Sequence, residues 1–103
     1  MRKGVLEFCI LSIISAEDEV YASDILSRLK QAELIVVEGT LYPLLTRLKN
    51  DGALSYRWEE SKSGPPRKYY KLTPEGNSML STIQKGWSQL LDSVHMITNT
   101  KTT

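Results

Sequence analysis

The chain has 103 residues, 41% hydrophobic and 24% charged, with a single cysteine, Cys9. That is the length of one domain and the composition of an ordinary globular one. It excludes a disordered chain and a disulfide scaffold. No apolar run approaches the roughly 18 residues that a membrane span needs, so no membrane association is expected. Arg2 and Lys3 lead into an apolar stretch that Glu7 interrupts, and no small-residue cleavage site follows. No secretory signal is read there, and the lone cysteine fits a cytoplasmic location. The net charge of +1 argues for nothing by itself, but the charge is segregated. Residues 1–38 carry four basic and seven acidic side chains, and residues 74–103 carry two of each. Residues 39–73 carry seven basic side chains (Arg47, Lys49, Arg57, Lys62, Arg67, Lys68, Lys71) against three acidic ones. A local basic region can grip phosphate inside a nearly neutral protein.

In chain order, residues 4–15 carry Val5, Leu6, Cys9, Ile10, Ile13 and Ile14, the pattern of a helix with one buried face. Glu17-Asp18-Glu19 reads as a solvated turn. Ala22, Ile25, Leu26 and Leu29 mark a short second helix ending near Gln31, with Ser23 or an earlier residue near its N-cap. Residues 33–37 have strand-like composition but are few, and read as a connection. Residues 38–50 form a third helix with Leu41, Leu44, Leu45 and Leu48 on its apolar stripe and Gly52 as its stop. Pro43 is read as a first-turn proline, which requires the helix to begin only a few residues before it. The period then changes. Leu54, Tyr56 and Trp58 alternate with Ser55, Arg57 and Glu59, and Tyr70 and Leu72 alternate with Tyr69 and Lys71, which is strand periodicity. Residues 61–66 between them read as a turn. Thr73 and Pro74 are the N-cap and first residue of a last helix reaching about Ile97, and a polar tail that frays follows.

Two features carry function. In a helix-turn-helix, the second helix of the pair enters the major groove and its side chains meet base edges. Residues 38–50 would expose Thr40, Tyr42, Pro43, Thr46, Arg47 and Lys49, a mixture suited to both phosphate and base contacts. Lys62, Ser63 and Gly64 at the hairpin tip, with Arg67 and Lys68, would reach adjacent phosphates. The alternative is an ordinary solvated helix beside a basic hairpin. The second feature is the last helix, where Leu80, Ile83, Trp87, Leu90, Val94 and Ile97 are spaced 3, 4, 3, 4 and 3 residues apart. This is an a/d seam, on a helix of about 36 Å, longer than so small a domain can cover. Packing within one chain and pairing with a second copy both account for it. The second also supplies the two-fold symmetry that a palindromic DNA site requires.

Gly39-Thr40-Leu41-Tyr42-Pro43-Leu44-Leu45 with Arg47-Leu48 resembles the recognition-helix signature of the PadR-type transcriptional regulators. The run from Gly64 through Arg67-Lys68-Tyr69-Tyr70 to Pro74-Glu75-Gly76 resembles that family's wing strand and entry to its C-terminal helix. The resemblance covers nearly the whole chain and points to the smaller subfamily with a single C-terminal helix. It implies a mainly α fold with a two-stranded wing (α+β), a winged helix-turn-helix over residues 1–73, and a dimerisation helix with a frayed tail over residues 74–103. It also implies a homodimer on double-stranded DNA bearing an inverted repeat, and repression of a nearby promoter. Thr40, Tyr42, Pro43 and Arg47 then take the recognition role and Gly64, Arg67 and Lys68 the wing role, with Tyr70 and Leu72 structural. In multidrug-sensing members a tryptophan on the C-terminal helix faces its twin and stacks planar aromatic ligands. Trp87 has a similar placement, with Phe8 and Glu7 as further walls, and core packing at the seam is its other reading.

The remaining residues point to no chemistry. His95 has no second histidine, cysteine pair or acidic cluster at ligand spacing, so no metal is expected. Cys9 lies on an apolar stripe and reads as a small core residue. Trp58 reads as packing under the wing or against the long helix. No phosphate-cradling loop and no nucleophile–base pair is present, so neither catalytic residues nor a cofactor are expected. A winged-helix module that binds a partner protein through its C-terminal helix is the alternative function.

Overall fold

The computed structural model describes residues 3–61 and 63–99, apart from the side chain of Lys3. Lys62 of the hairpin tip, and the expected frayed tail beyond Asn99, lie outside the described residues. The elements run α1 (Lys3–Glu17), β1 (Glu19–Tyr21), α2 (Ala22–Gln31), α3 (Glu38–Asn50), β2 (Leu54–Ser61), β3 (Gly64–Leu72) and α4 (Pro74–Thr98). The strands form one antiparallel sheet in the order β1-β3-β2. The fold is mainly helical, as the sequence implies, with one strand more than expected. β1 is three residues long and follows Asp18, which takes a left-handed φ of 67°. Its Glu19-Val20-Tyr21 buries only Val20, so no alternation could reveal it.

The core lies where α1, α2, α3 and the base of the hairpin meet. Ile10, Leu11, Ile14, Ile25, Leu29, Leu41, Leu45 and Leu48 are fully buried, with Ala53, Leu54, Tyr70 and Leu72 closing the hairpin side. α1 packs against α2, α4, β1 and β3, and so buries a wider arc than its expected stripe, including Leu11. α2 starts at Tyr21, whose N–H donates to the Asp24 carboxylate at 2.9 Å.

Two local readings are corrected. Pro43 is the sixth residue of α3, a full turn inside the helix and not within its first turn. It removes the N–H that would bond the carbonyl of Gly39. The helix persists because its four leucines are buried against the rest of the core, and tertiary burial outweighs one missing backbone bond. The hairpin turn is also shorter than residues 61–66. Ser61 pairs with Gly64, and Gly64-Pro65-Pro66 already belongs to β3, with a register irregularity between Glu59 and Ser61. Prolines fit there because β1 pairs only with residues 69–71, leaving that end of β3 with one neighbour.

The end of α3 and the start of α4 are built together. Gly52, at φ 84°, closes α3 by donating to the carbonyl of Lys49, and Ala53 donates to that of Leu48. Thr73 donates its N–H to the Ala53 carbonyl at 3.1 Å and its hydroxyl to the Gly52 carbonyl, and it accepts from the Gly76 N–H at 2.9 Å. A Cβ on Gly76 would lie 2.1 Å from the Ala53 oxygen, so only glycine lets α4 approach this closely. α4 then lays Met79, Leu80 and Ile83 on the core. Farther on it leaves the body: Leu90, Leu91, Val94, Met96 and Ile97 are 45–75% exposed, and the molecule measures 61 × 28 × 21 Å.

Candidate nucleic-acid interface

At about 100° per residue, the buried leucines of α3 leave Gly39, Pro43, Thr46 and Asn50 on its outward crest. Tyr42 and Lys49 lie on the flank toward the hairpin, and Thr40 and Arg47 on the opposite flank. All of these except Arg47 are exposed. Arg47 is half-covered and ion-paired with Glu7 of α1. Its charge is thus compensated within the chain, and Glu7 ties α3 to α1.

The hairpin sorts its side chains into two rows. The inner row is Leu54, Tyr56 and Trp58 on β2, facing Leu72, Tyr70 and Lys68 on β3. It is buried at its base and open at its end. Tyr70 is buried, and that desolvation raises its phenol above the ordinary value. The outer row holds Arg57, which bonds Glu19 at 2.9 Å and also Glu59, and lies over the ring of Tyr69. Those two carboxylates push its guanidinium still further up. Tyr69 in turn stacks on Tyr21 with centroids 4.4 Å apart.

The ion pairs therefore divide the basic segment. Arg57 and Arg47 are matched by carboxylates, and Arg28 by Glu17. Lys49, Arg67 and Lys68 have no carboxylate within bridging distance among the described residues, and instead sit over aromatic rings. Lys49 lies 5.8 Å and Lys68 4.6 Å from the ring of Tyr56, Lys68 5.5 Å from that of Trp58, and Arg67 5.5 Å from that of Tyr21. These three cations border a groove of about 370 Å³ between α3 and the sheet and a smaller one of about 100 Å³ beside it. Tyr42 and Thr46 line the larger from α3, Trp58, Arg67 and Lys68 from the hairpin, and Tyr21 and Ser23 from the start of α2. Thr46, Lys49 and Asn50 line the smaller. Ser63 and Gly64 stand exposed at the hairpin tip, remote from both grooves' lining.

A third groove, of about 460 Å³, lies between α1 and α4. Its lining includes Glu7, Ile83, Trp87 and Leu90. Phe8 stacks on Trp87 with centroids 5.9 Å apart and an interplanar angle of 23°.

The sequence profile of the transcriptional regulator PadR-like family matches residues 10–82. The chain belongs to the PadR-like family. A solved PadR-like transcription factor from Bacteroides fragilis is 59% identical, with a TM-score of 0.84 over 94% of this chain and 93% of its own. A PadR-like transcriptional regulator from Bacillus cereus is 35% identical, with a TM-score of 0.83 over 96% of both chains. A transcriptional regulator of Mycobacterium tuberculosis is 31% identical over 78% of this chain and 74% of its own. The protein is thus a winged-helix transcriptional regulator of the PadR family and not an enzyme.

Among the described residues of this PadR-family chain, no helix is long and apolar enough to cross a membrane. The sequence reading of Trp58 is corrected. Its indole is 60% exposed, packed neither under the wing nor against α4, and it lines the groove facing α3. Alternation assigned it rightly to the inner row, but nothing in the sequence tells how far along that row the core extends. Tyr21 and Ser23 were missed for a related reason: they reach the groove through β1, a strand too short to read.

Proposed function

We propose that the protein is a dimeric, sequence-specific repressor, each protomer laying α3 in a major groove and its hairpin along the adjacent backbone. In this reading residues 1–73 bind DNA and residues 74–103 hold the dimer. The gathering of Lys49, Arg67 and Lys68, all without carboxylate partners, on the side where α3 exposes Tyr42 and Thr46 carries it. Thr40, Pro43 and Thr46 would meet base edges, and Lys62, Ser63 and Gly64 would follow the backbone past the tip. Arg47 reaches a phosphate only by letting go of Glu7. The exposed Leu90, Val94 and Ile97 support pairing of two α4 helices, with Leu80, Ile83 and Trp87 completing the seam. Pairing about a two-fold axis suits an inverted repeat. The groove at Trp87, Phe8 and Glu7 would take a planar aromatic ligand, which relieves repression only if it binds the DNA-free form better than the bound one.

The test is the salt dependence of duplex binding, followed by fluorescence anisotropy. Changing Lys49, Arg67 or Lys68 singly to Gln lowers the slope of log affinity against log salt by about 0.9 each, one phosphate contact apiece. Slopes unchanged in all three variants overturn the assignment. They would favour a partner protein as what the domain binds.

A further inference from the structure

The groove between α3 and the hairpin contains an aromatic side chain that neither the fold nor the cation grip accounts for. Along the inner row of β2, Leu54 is 3% exposed, Tyr56 is partly covered and Trp58 is 60% exposed. Trp58 thus stands on the core-facing row one step past the end of the core. Its indole is nonetheless held: Tyr56 meets it edge-on with centroids 6.1 Å apart, and Lys68, its cross-strand neighbour, sits 5.5 Å over the ring. Across the groove it faces Tyr42 and Thr46 of α3. None of the residues that line this groove is acidic, although the chain has twelve Asp and Glu.

A groove with an apolar plate, two flanking cations and no carboxylate fits an occupant that alternates anionic and apolar surface. One strand of a DNA duplex does so, phosphate following deoxyribose. We propose that Trp58 is a DNA-contact residue whose indole packs against a deoxyribose of the strand passing between α3 and the hairpin. Lys68 and Arg67 take the phosphates on either side. This rests on the reading of the domain as a duplex binder, and adds an apolar contact that charge alone does not supply. Burying the exposed indole gains affinity through removal of apolar area from water, a term that releases no counterions. It therefore leaves a signature different from that of its cationic neighbours.

Duplex binding is measured by anisotropy over a range of salt for the full chain, Trp58→Ala, Trp58→Phe and Lys68→Gln. Trp58→Ala is expected to weaken binding by about tenfold at every salt, with the slope unchanged. Trp58→Phe keeps a flat ring and most of the affinity, while Lys68→Gln lowers the slope by about 0.9. In a ¹⁵N-labelled chain the two indole N–H signals are assigned with Trp58→Phe, and the Trp58 signal is expected to shift as duplex is added. Trp58→Ala binding as tightly as the parent overturns the proposal, as does a Trp58 signal that stays in place when anisotropy reports saturation. A slope lowered in Trp58→Ala as much as in Lys68→Gln also overturns it, because Trp58 would then only position the lysine. If the unaltered chain binds no duplex at any salt, the duplex-binding reading fails first, and the proposal with it.

Discussion

Two glycines hold the end of the recognition helix against the start of the long one, for different physical reasons. Gly52 needs a left-handed φ of 84° with open space around it, whereas Gly76 needs room, since its Cβ would meet the Ala53 carbonyl at 2.1 Å. Gly52→Ala is expected to cost about 1–2 kcal/mol from backbone strain, and Gly52→Asn less, because asparagine tolerates that conformation. Gly76→Ala is expected to cost about 1–3 kcal/mol by forcing backbone apart, and Asn there is no remedy. Thermal melts of the four variants separate the two causes. Tyr70 adds a pH dependence. Burial raises its phenol above the ordinary value near 10. The folded chain therefore keeps this proton to higher pH than the unfolded chain does. Its contribution is complete below pH about 10 and declines as pH rises from there through the raised value. Denaturant titrations should show that alkaline decline reduced in Tyr70→Phe.

At the scale of elements, α4 divides into a half that belongs to the protomer and a half that does not. Met79, Leu80 and Ile83 pack on the core, while Leu90 and Val94 are 53% and 45% exposed. If the outer half pairs two copies, Leu90→Ser with Val94→Ser halves the mass in sedimentation equilibrium and leaves the helical circular dichroism of the protomer in place. An unchanged mass would contradict the pairing. The same helix shows what the sequence could tell. Its 3-and-4 spacing and the Thr73-Pro74 start were legible, because amphipathic period and capping chemistry are local. The four leucines of α3 and its Gly52 stop were legible for the same reason. Trp58, β1 and the Glu7–Arg47 pair were not. Each depends on how far one element reaches along another, and that is settled by packing between segments distant in the chain. Pro43 misled in a related way: propensity favours a first-turn proline, and the burial of Leu41, Leu44, Leu45 and Leu48 overrides it.

At the scale of the whole molecule, the net charge of +1 conceals a sorted one. Carboxylates from α1 and β1 neutralise Arg47 and Arg57, and the cations left unmatched border the groove between α3 and the hairpin. Such a chain need not be basic overall to bind a polyanion, since the field that matters is local. The Glu7–Arg47 pair also joins the groove at Trp87 to the recognition helix, because one carboxylate lines the first and holds the second. The central claim is that two copies read one symmetric DNA site. The most direct measurement is a selection from random duplexes with the purified protein, sequencing what is retained at about 50 and about 200 mM salt, a range over which non-specific phosphate contacts lose most of their strength. The account predicts that an inverted repeat survives the higher salt, its half-sites about 10 base pairs apart, or a multiple, as two-fold recognition helices require. Retention without sequence preference at low salt, lost altogether at high salt, would contradict it.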